Sequence, residues 1–223
     1  MADQVRWLLA ATQVSFTQRR VSDRESFLRL SDSLLPFQQL PVLQIDGQVL
    51  AQSQAMVRYL AKRGDIAGTS SLQAVQMDML AEYIGDMLGQ LMGAPFVRFR
   101  SAEEWTEKTK VVRVKWSKCG HRLEDVLQHQ KQGRAAGGDD DAPVFLVGSS
   151  LSYADVLAAH LLTWVVEELG ADCVRTMPLL VDLQRYVISL PHMAAFIKSD
   201  LYYPVGDDAY VNEVNTTLGR ICG

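Results

Sequence analysis

The sequence predicts a small α/β unit followed by an all-α unit, and three observations carry that prediction. Strand and turn signals are confined to the residues before Gly64, where VLQIDGQVLA reads as a hairpin. Gly64 and Gly68 then break the chain. Beyond them apolar residues recur at helical spacing over long stretches.

Taken in order, residues 3–12 place Val5, Leu8 and Leu9 on one face of a helix. Val14 to Arg20 is rich in β-formers and reads as a strand, and Glu25 to Leu30 as a brief helical or irregular segment. Val42–Ile45 and Gln48–Ala51 flank Asp46-Gly47, a dipeptide suited to a tight hairpin turn. Ser53 opens a helix running toward Lys62, with Ala55, Met56, Tyr59 and Leu60 facing a core. Long helical periods follow over Leu72–Met92, Ala102–Gln130, Tyr153–Leu169 and Met177–Ile188. Ser152 and Asp155 follow capping-box logic, with aspartate in place of glutamate and with Leu151 and Val156 as the hydrophobic staple. The chain therefore divides into a unit over residues 1–63, a linker over 64–71 and a helical unit over 72–223. Gln132 to Ala142 is a polar break; its Asp139, Asp140 and Asp141 lack EF-hand spacing and read as a solvated loop.

Composition removes several function classes. Of 223 residues, 22 are basic and 26 acidic, with no dense Lys/Arg stripe of the kind that nucleic-acid binding requires. The run Trp7 to Thr12 is too short for a membrane span or signal peptide. Cys119, Cys173 and Cys222 are odd in number and far apart, which fits neither a disulfide framework nor a CxxC site and suits a reducing, cytoplasmic setting. His121, His129, His160 and His192 show no metal or triad spacing and read as structural or surface residues. Cys119, between Lys118 and His121, reads as a plain helix thiol.

The most informative pair of segments is Gln39-Leu40-Pro41 and Gln52-Ser53. The hairpin between them brings backbone and side-chain polar groups to one edge, beside a helix start. Such an edge suits a small peptide with an anionic end.

With these segments in place, the chain resembles the cytosolic glutathione transferases, most closely their alpha, sigma, mu and pi groups. RWLLAA at Arg6–Ala11, PFQQLPVLQIDG at Pro36–Gly47 and AQSQAMVRYLA at Ala51–Ala61 resemble that family's first helix, glutathione-site loop and hairpin, and third helix. The resemblance extends from residue 3 to about 212. It implies a thioredoxin-like N-terminal domain joined to a helical-bundle C-terminal domain. It also implies a site for glutathione as co-substrate, with no metal or other cofactor. Leu40, before a cis Pro41, would pair its backbone with the cysteinyl unit. Gln39 would approach the peptide backbone or glycyl end, and Gln52 and Ser53 would hold the γ-glutamyl carboxylate. Asp86 would reach the glutamyl amine across a homodimer interface. A hydrophobic electrophile would sit against the helical domain near Leu88–Phe99 and the tail from Tyr202, with Met92, Phe96 and Phe99 as core or lining. No nucleic acid and no membrane would take part.

Two departures accompany the resemblance. The family's first strand and the tyrosine that activates the glutathione sulfur would precede Arg6, where this sequence holds only Met1–Val5, so the catalytic residue is unassigned and a truncated start is one reading. Between Val21 and Leu35, where sigma- and mu-like members place a tryptophan and a lysine, this sequence holds Phe27, Leu28, Arg29 and Asp32. The expected function is conjugation of glutathione to electrophilic small molecules. The alternatives are a non-catalytic binding or structural protein of this fold, and an isomerase or peroxidase using the same site.

Overall fold

The computed structural model describes residues 2–133, 142–203, 206 and 208–219. The aspartate run at 139–141 lies outside them, as does most of the polar break that contains it.

Helix α1 (Ala2–Ala11) buries Val5, Trp7, Leu8 and Leu9 and ends where the Thr12 hydroxyl donates back to the Leu8 carbonyl at 2.7 Å. The strand expected over Val14–Arg20 does not form: the segment is irregular. A strand needs a neighbour to accept its ladder bonds, and among the described residues the two strands present pair only with each other. Val14 and Phe16 still pack against the core. Helix α2 (Arg24–Ser33) is capped by Asp23, whose carboxylate accepts from the Ser26 N–H at 2.7 Å, yet it buries no residue.

The hairpin stands where the sequence places it. Strands β1 (Val42–Ile45) and β2 (Gln48–Ala51) pair antiparallel, with Val42 opposite Ala51 and Ile45 opposite Gln48. Asp46 and Gly47 both have positive φ, 49° and 74°, as a type I′ turn requires. The Asp46 carboxylate, held below its ordinary pKa by the Tyr59 hydroxyl and then by Arg63, pins this turn to helix α3 (Ser53–Arg63). Gly64 ends α3, and a Cβ there would lie 2.3 Å from the Thr12 side chain, so only glycine allows the ends of α1 and α3 to approach this closely.

Beyond α3, every regular element among the described residues is helical. These are α4 (Ser71–Met92), α5 (Ala94–Arg100), α6 (Ala102–Gln132), α7 (Tyr153–Leu169), a 3₁₀ turn at Ala171–Val174, α8 (Pro178–Ser189), α9 (Pro191–Ile197) and α10 (Asp208–Leu218). Ser70 and Ser101 cap α4 and α6. Helix α7 is the most deeply buried element, and its start is held by Asp155. That carboxylate accepts from the Leu146 N–H (2.7 Å), the Ser152 N–H (2.7 Å) and the Ser152 hydroxyl (2.6 Å). Glu124 of α6 does the same for α8, accepting from the Leu179 and Leu180 N–H groups at 3.1 and 2.8 Å.

One contiguous core runs through both halves. Trp7 and Leu8 of α1, Met56 and Leu60 of α3, and Leu157 and Leu161 of α7 all belong to it. The hairpin and α3 are thereby held on the helical bundle by apolar burial. Polar ties add to this: Arg58 of α3 reaches Asp78 and Glu82 of α4, each at 2.7 Å, and the Tyr153 hydroxyl donates to Asp78. Burial works against ionisation of Asp78, but Tyr153 and Arg58 hold its carboxyl below the ordinary value.

Candidate functional site

The hairpin register fixes the geometry. With Val42 opposite Ala51, the residues just outside the ladder, Leu40-Pro41 on one side and Gln52-Ser53 on the other, lie at the same end of the hairpin. The Leu40–Pro41 peptide bond is cis. Leu40 is 41 % exposed, and among the described residues its backbone N–H and C=O take no hydrogen bond. Gln39 is exposed beside it.

Across the hairpin end, Gln52 is exposed and has a φ of 66°, and its carbonyl accepts the first intrahelical bond of α3 from Met56 at 3.0 Å. No side chain caps α3, in contrast to the serine caps of α4 and α6. Its first N–H groups are therefore open toward an anion, and the helix dipole adds to the attraction. Ser53 is buried at the first helical position. Next to it, the Gln54 side-chain oxygen is buried without a hydrogen-bond partner among the described residues.

Five of the six sequence-derived positions are thus brought together. The sixth, Asp86, stands on the exposed face of α4 and makes no hydrogen bond or ion pair with the other five. It falls in one stripe with the exposed Leu72, Val75, Met79 and Tyr83. Arg29 is engaged on α2 itself, with Glu25 at 2.5 Å and the Ser26 hydroxyl at 3.0 Å.

Other candidate groups resolve into structural roles. Burial pushes the Cys119 thiol up to about 11, so it is un-ionised at neutral pH. His160 is buried between Trp7 and Trp164, with ring centroids 5.3 and 5.8 Å away, and neither ring nitrogen has a partner among the described residues. His121 and His129 are exposed. Phe96 packs edge-on against Tyr210 at 5.9 Å, while Phe99 is partly exposed. An open depression of about 620 Å³ lies between α5 and α6, lined by Val97, Glu103, Glu104, Glu107 and Lys108; of the stretch 88–99 only Val97 lines it.

Sequence reasoning missed two features. Arg6 and Arg20 both face the ring of Tyr203, at 4.7 and 5.2 Å, closing the C-terminal tail onto α1. Phe37, two residues before Gln39, is 60 % exposed. The first has no local sequence signal, because it joins segments far apart in the chain.

A hairpin with a cis-proline loop and an open helix start at one end, sharing its core with a helical bundle, defines the class: a thioredoxin-like unit joined to an all-α unit. The family models for the glutathione S-transferase N-terminal and C-terminal domains match residues 1–62 and 86–200. Glutathione S-transferase 3 of Gallus gallus is 32 % identical over 97 % of this chain and 89 % of its own length. Glutathione S-transferase alpha-4 of Rattus norvegicus is 30 % identical, covering 97 % of this chain and 92 % of its own. Among solved structures, the glutathione S-transferase of Ascaris lumbricoides superposes with a TM-score of 0.69 at 26 % identity, over 90 % of this chain and 93 % of that one. The chain belongs to the glutathione S-transferase family. Among the described residues, no helix is long and apolar enough to cross a membrane.

Proposed function

We propose that this chain is a glutathione transferase that joins the thiol of glutathione to electrophilic small molecules in the cytoplasm. The observation that carries the reading is the shared edge of the cis-proline loop and the uncapped start of α3, in a chain of this family. The Leu40 backbone offers one N–H and one C=O to the cysteinyl unit, as an added strand would. Gln39 and Pro41 border it on the side of the peptide backbone. Gln52, the Ser53 hydroxyl and the open N–H groups of α3 take the γ-glutamyl carboxylate. Residues 1–63 form the glutathione-binding unit in this reading, and residues 72–223, past the linker 64–71, hold the electrophile.

The chemistry is transfer of the sulfur electron pair to an electrophilic carbon. The thiol first loses its proton, a C–S bond forms, and the leaving group departs with its electron pair. A free thiol ionises near ~8.5, so the transferase must favour the thiolate. The six named positions bind and orient the tripeptide; none of them is assigned to activating the sulfur.

A homodimer completes the site, with Asp86 of the partner subunit reaching the glutamyl amine. Support comes from the exposed face of α4 and α6. The apolar stripe Leu72, Val75, Met79 and Tyr83 carries acidic Glu82 and Asp86 beside it, while Val111 and Val114 of α6 stand exposed near basic Lys115, Lys118 and Arg122. A two-fold axis would set the acidic helix of one copy against the basic helix of the other and cover both apolar sets.

The test is retention on immobilised glutathione together with turnover of a general electrophile. Retention with turnover supports the proposal. Retention without turnover removes the catalytic half, and failure to be retained removes the whole reading.

A further inference from the structure

Helix α2 is a weakly anchored element that leads directly into the glutathione clamp. It buries none of its residues, and its chief packing partner is α10, from the other end of the chain. Three contacts tie α10 to the chain at the start of α2. Arg20 pairs with Glu213, the Thr217 hydroxyl donates to the Val21 carbonyl at 3.3 Å, and Arg24 donates to the Thr217 carbonyl at 3.5 Å. Helix α10 is itself fixed to the helical bundle. Val211 and Thr217 are buried, and Tyr210 meets Phe96 of α5 edge-on at 5.9 Å. It therefore bridges α5 and α2.

The far end of α2 is plugged by Leu35, which is buried. Gln39, Leu40 and Pro41 follow within the same loop. The segment from Val21 to Leu35 is thus suspended between a brace at α10 and a plug at its end, with the clamp residues directly after the plug, and an element with so little burial belongs to the low-stability end of a structure. Whatever loosens α2 raises the ordering cost of the clamp and weakens the ligand that needs it.

We propose that α10 braces α2, with Glu213 as a positioning residue that acts through Arg20 to keep the Gln39–Pro41 clamp in its binding conformation. The clamp half of this proposal rests on the glutathione reading; the brace half does not. Glu213 is not placed in the binding site, and its side chain is partly exposed, so its substitution leaves the core intact.

The test uses the full chain and three variants: Glu213→Arg, the charge swap Arg20→Glu with Glu213→Arg, and Val211→Asp to detach α10. Two readouts are taken: amide exchange over residues 24–33, with residues 53–63 as internal control, and KM for glutathione against kcat with a general electrophile. Glu213→Arg is expected to speed exchange over residues 24–33 by roughly fivefold and raise KM for glutathione by a similar factor. Exchange over 53–63 and kcat stay within about twofold of the original, and the charge swap restores both readouts in part, the Arg20 contact with the Tyr203 ring being lost in it. Unchanged exchange over 24–33 in both Glu213→Arg and Val211→Asp overturns the brace. Faster exchange with an unchanged KM, or a fall in kcat with KM unchanged, overturns the link to the clamp. If the unaltered chain binds no glutathione, the functional reading and the clamp half fall together, while the exchange data still decide the brace.

Discussion

Replacing Asp155 by alanine tests what holds the most buried helix in place. The carboxylate is fully buried and accepts from two backbone N–H groups, of Leu146 and Ser152, and from the Ser152 hydroxyl. Burial pushes this carboxyl up to about 6 while its three donors pull it back, so it is ionised at pH 7. Alanine leaves both N–H groups buried without an acceptor, at ~1–3 kcal/mol each, whereas the hydroxyl can rotate to another partner. The expected destabilisation is about 2–6 kcal/mol, or a fall on the order of 10 °C in Tm for a chain of this length. Asparagine retains one acceptor oxygen at similar volume and should cost about half as much. Urea unfolding at pH 7.5, read by tryptophan fluorescence and by circular dichroism together, measures the difference. A loss below about 1 kcal/mol for Asp155→Ala would refute the assignment of Asp155 as the anchor of α7.

The remaining predictions concern acid stability, the helical interface and the bound tripeptide. His160 is buried without a partner and burial lowers its pKa from 6.5 to about 4, so its contribution is present above about pH 6.5 and lost as pH falls toward 4. Asp155, raised by burial, gains a proton in the folded chain between about pH 6 and pH 4 and works in the opposite direction, so the comparison is made against His160→Leu. Between pH 7.5 and pH 4.5, His160→Leu should lose about 2–3 kcal/mol less stability than the unaltered chain, and equal losses in unfolding titrations would count against the buried neutral imidazole. Arg58→Ala removes both ion pairs to α4, but these groups are partly exposed, so the cost should be at most ~1 kcal/mol and should shrink in high salt; a loss of several kcal/mol would mean that α3 is held mainly by charge. Asp86→Ala should leave the Tm within about 2 °C, because the residue is exposed, and weaken glutathione binding by about tenfold or more. Unchanged affinity would remove Asp86 from the site.

How much of this was legible in the sequence depends on whether a signal was local. The hairpin matches residue for residue, because Asp46-Gly47 dictates both the turn and the register. Helix α7 likewise runs from Tyr153 to Leu169 as read, because Ser152 and Asp155 mark its start and Gly170 its end. Val14–Arg20 has strand composition, but pairing is non-local and no neighbour is present among the described residues. The short helices α5 and α9 carried a usable sign that the helical periodicity overlooked, since each has proline in its first turn. At the site, Leu40, Pro41, Gln52 and Ser53 could be placed together because the hairpin between them is short. The packing of α10 on α2 brings together residues as far apart in sequence as Arg20 and Glu213, 193 positions, which no window along the chain reveals.

The central claim is that the cis-proline loop and the open start of α3 form a glutathione clamp, and calorimetric titration with glutathione tests it most directly. The unaltered chain should bind one tripeptide per chain. Gln52→Ala with Ser53→Ala should weaken binding by about tenfold to a hundredfold, the loss expected on removing hydrogen bonds to a carboxylate, while leaving the unfolding midpoint within a few degrees. No heat of binding at millimolar glutathione, or an affinity that the double substitution leaves unchanged, would contradict it.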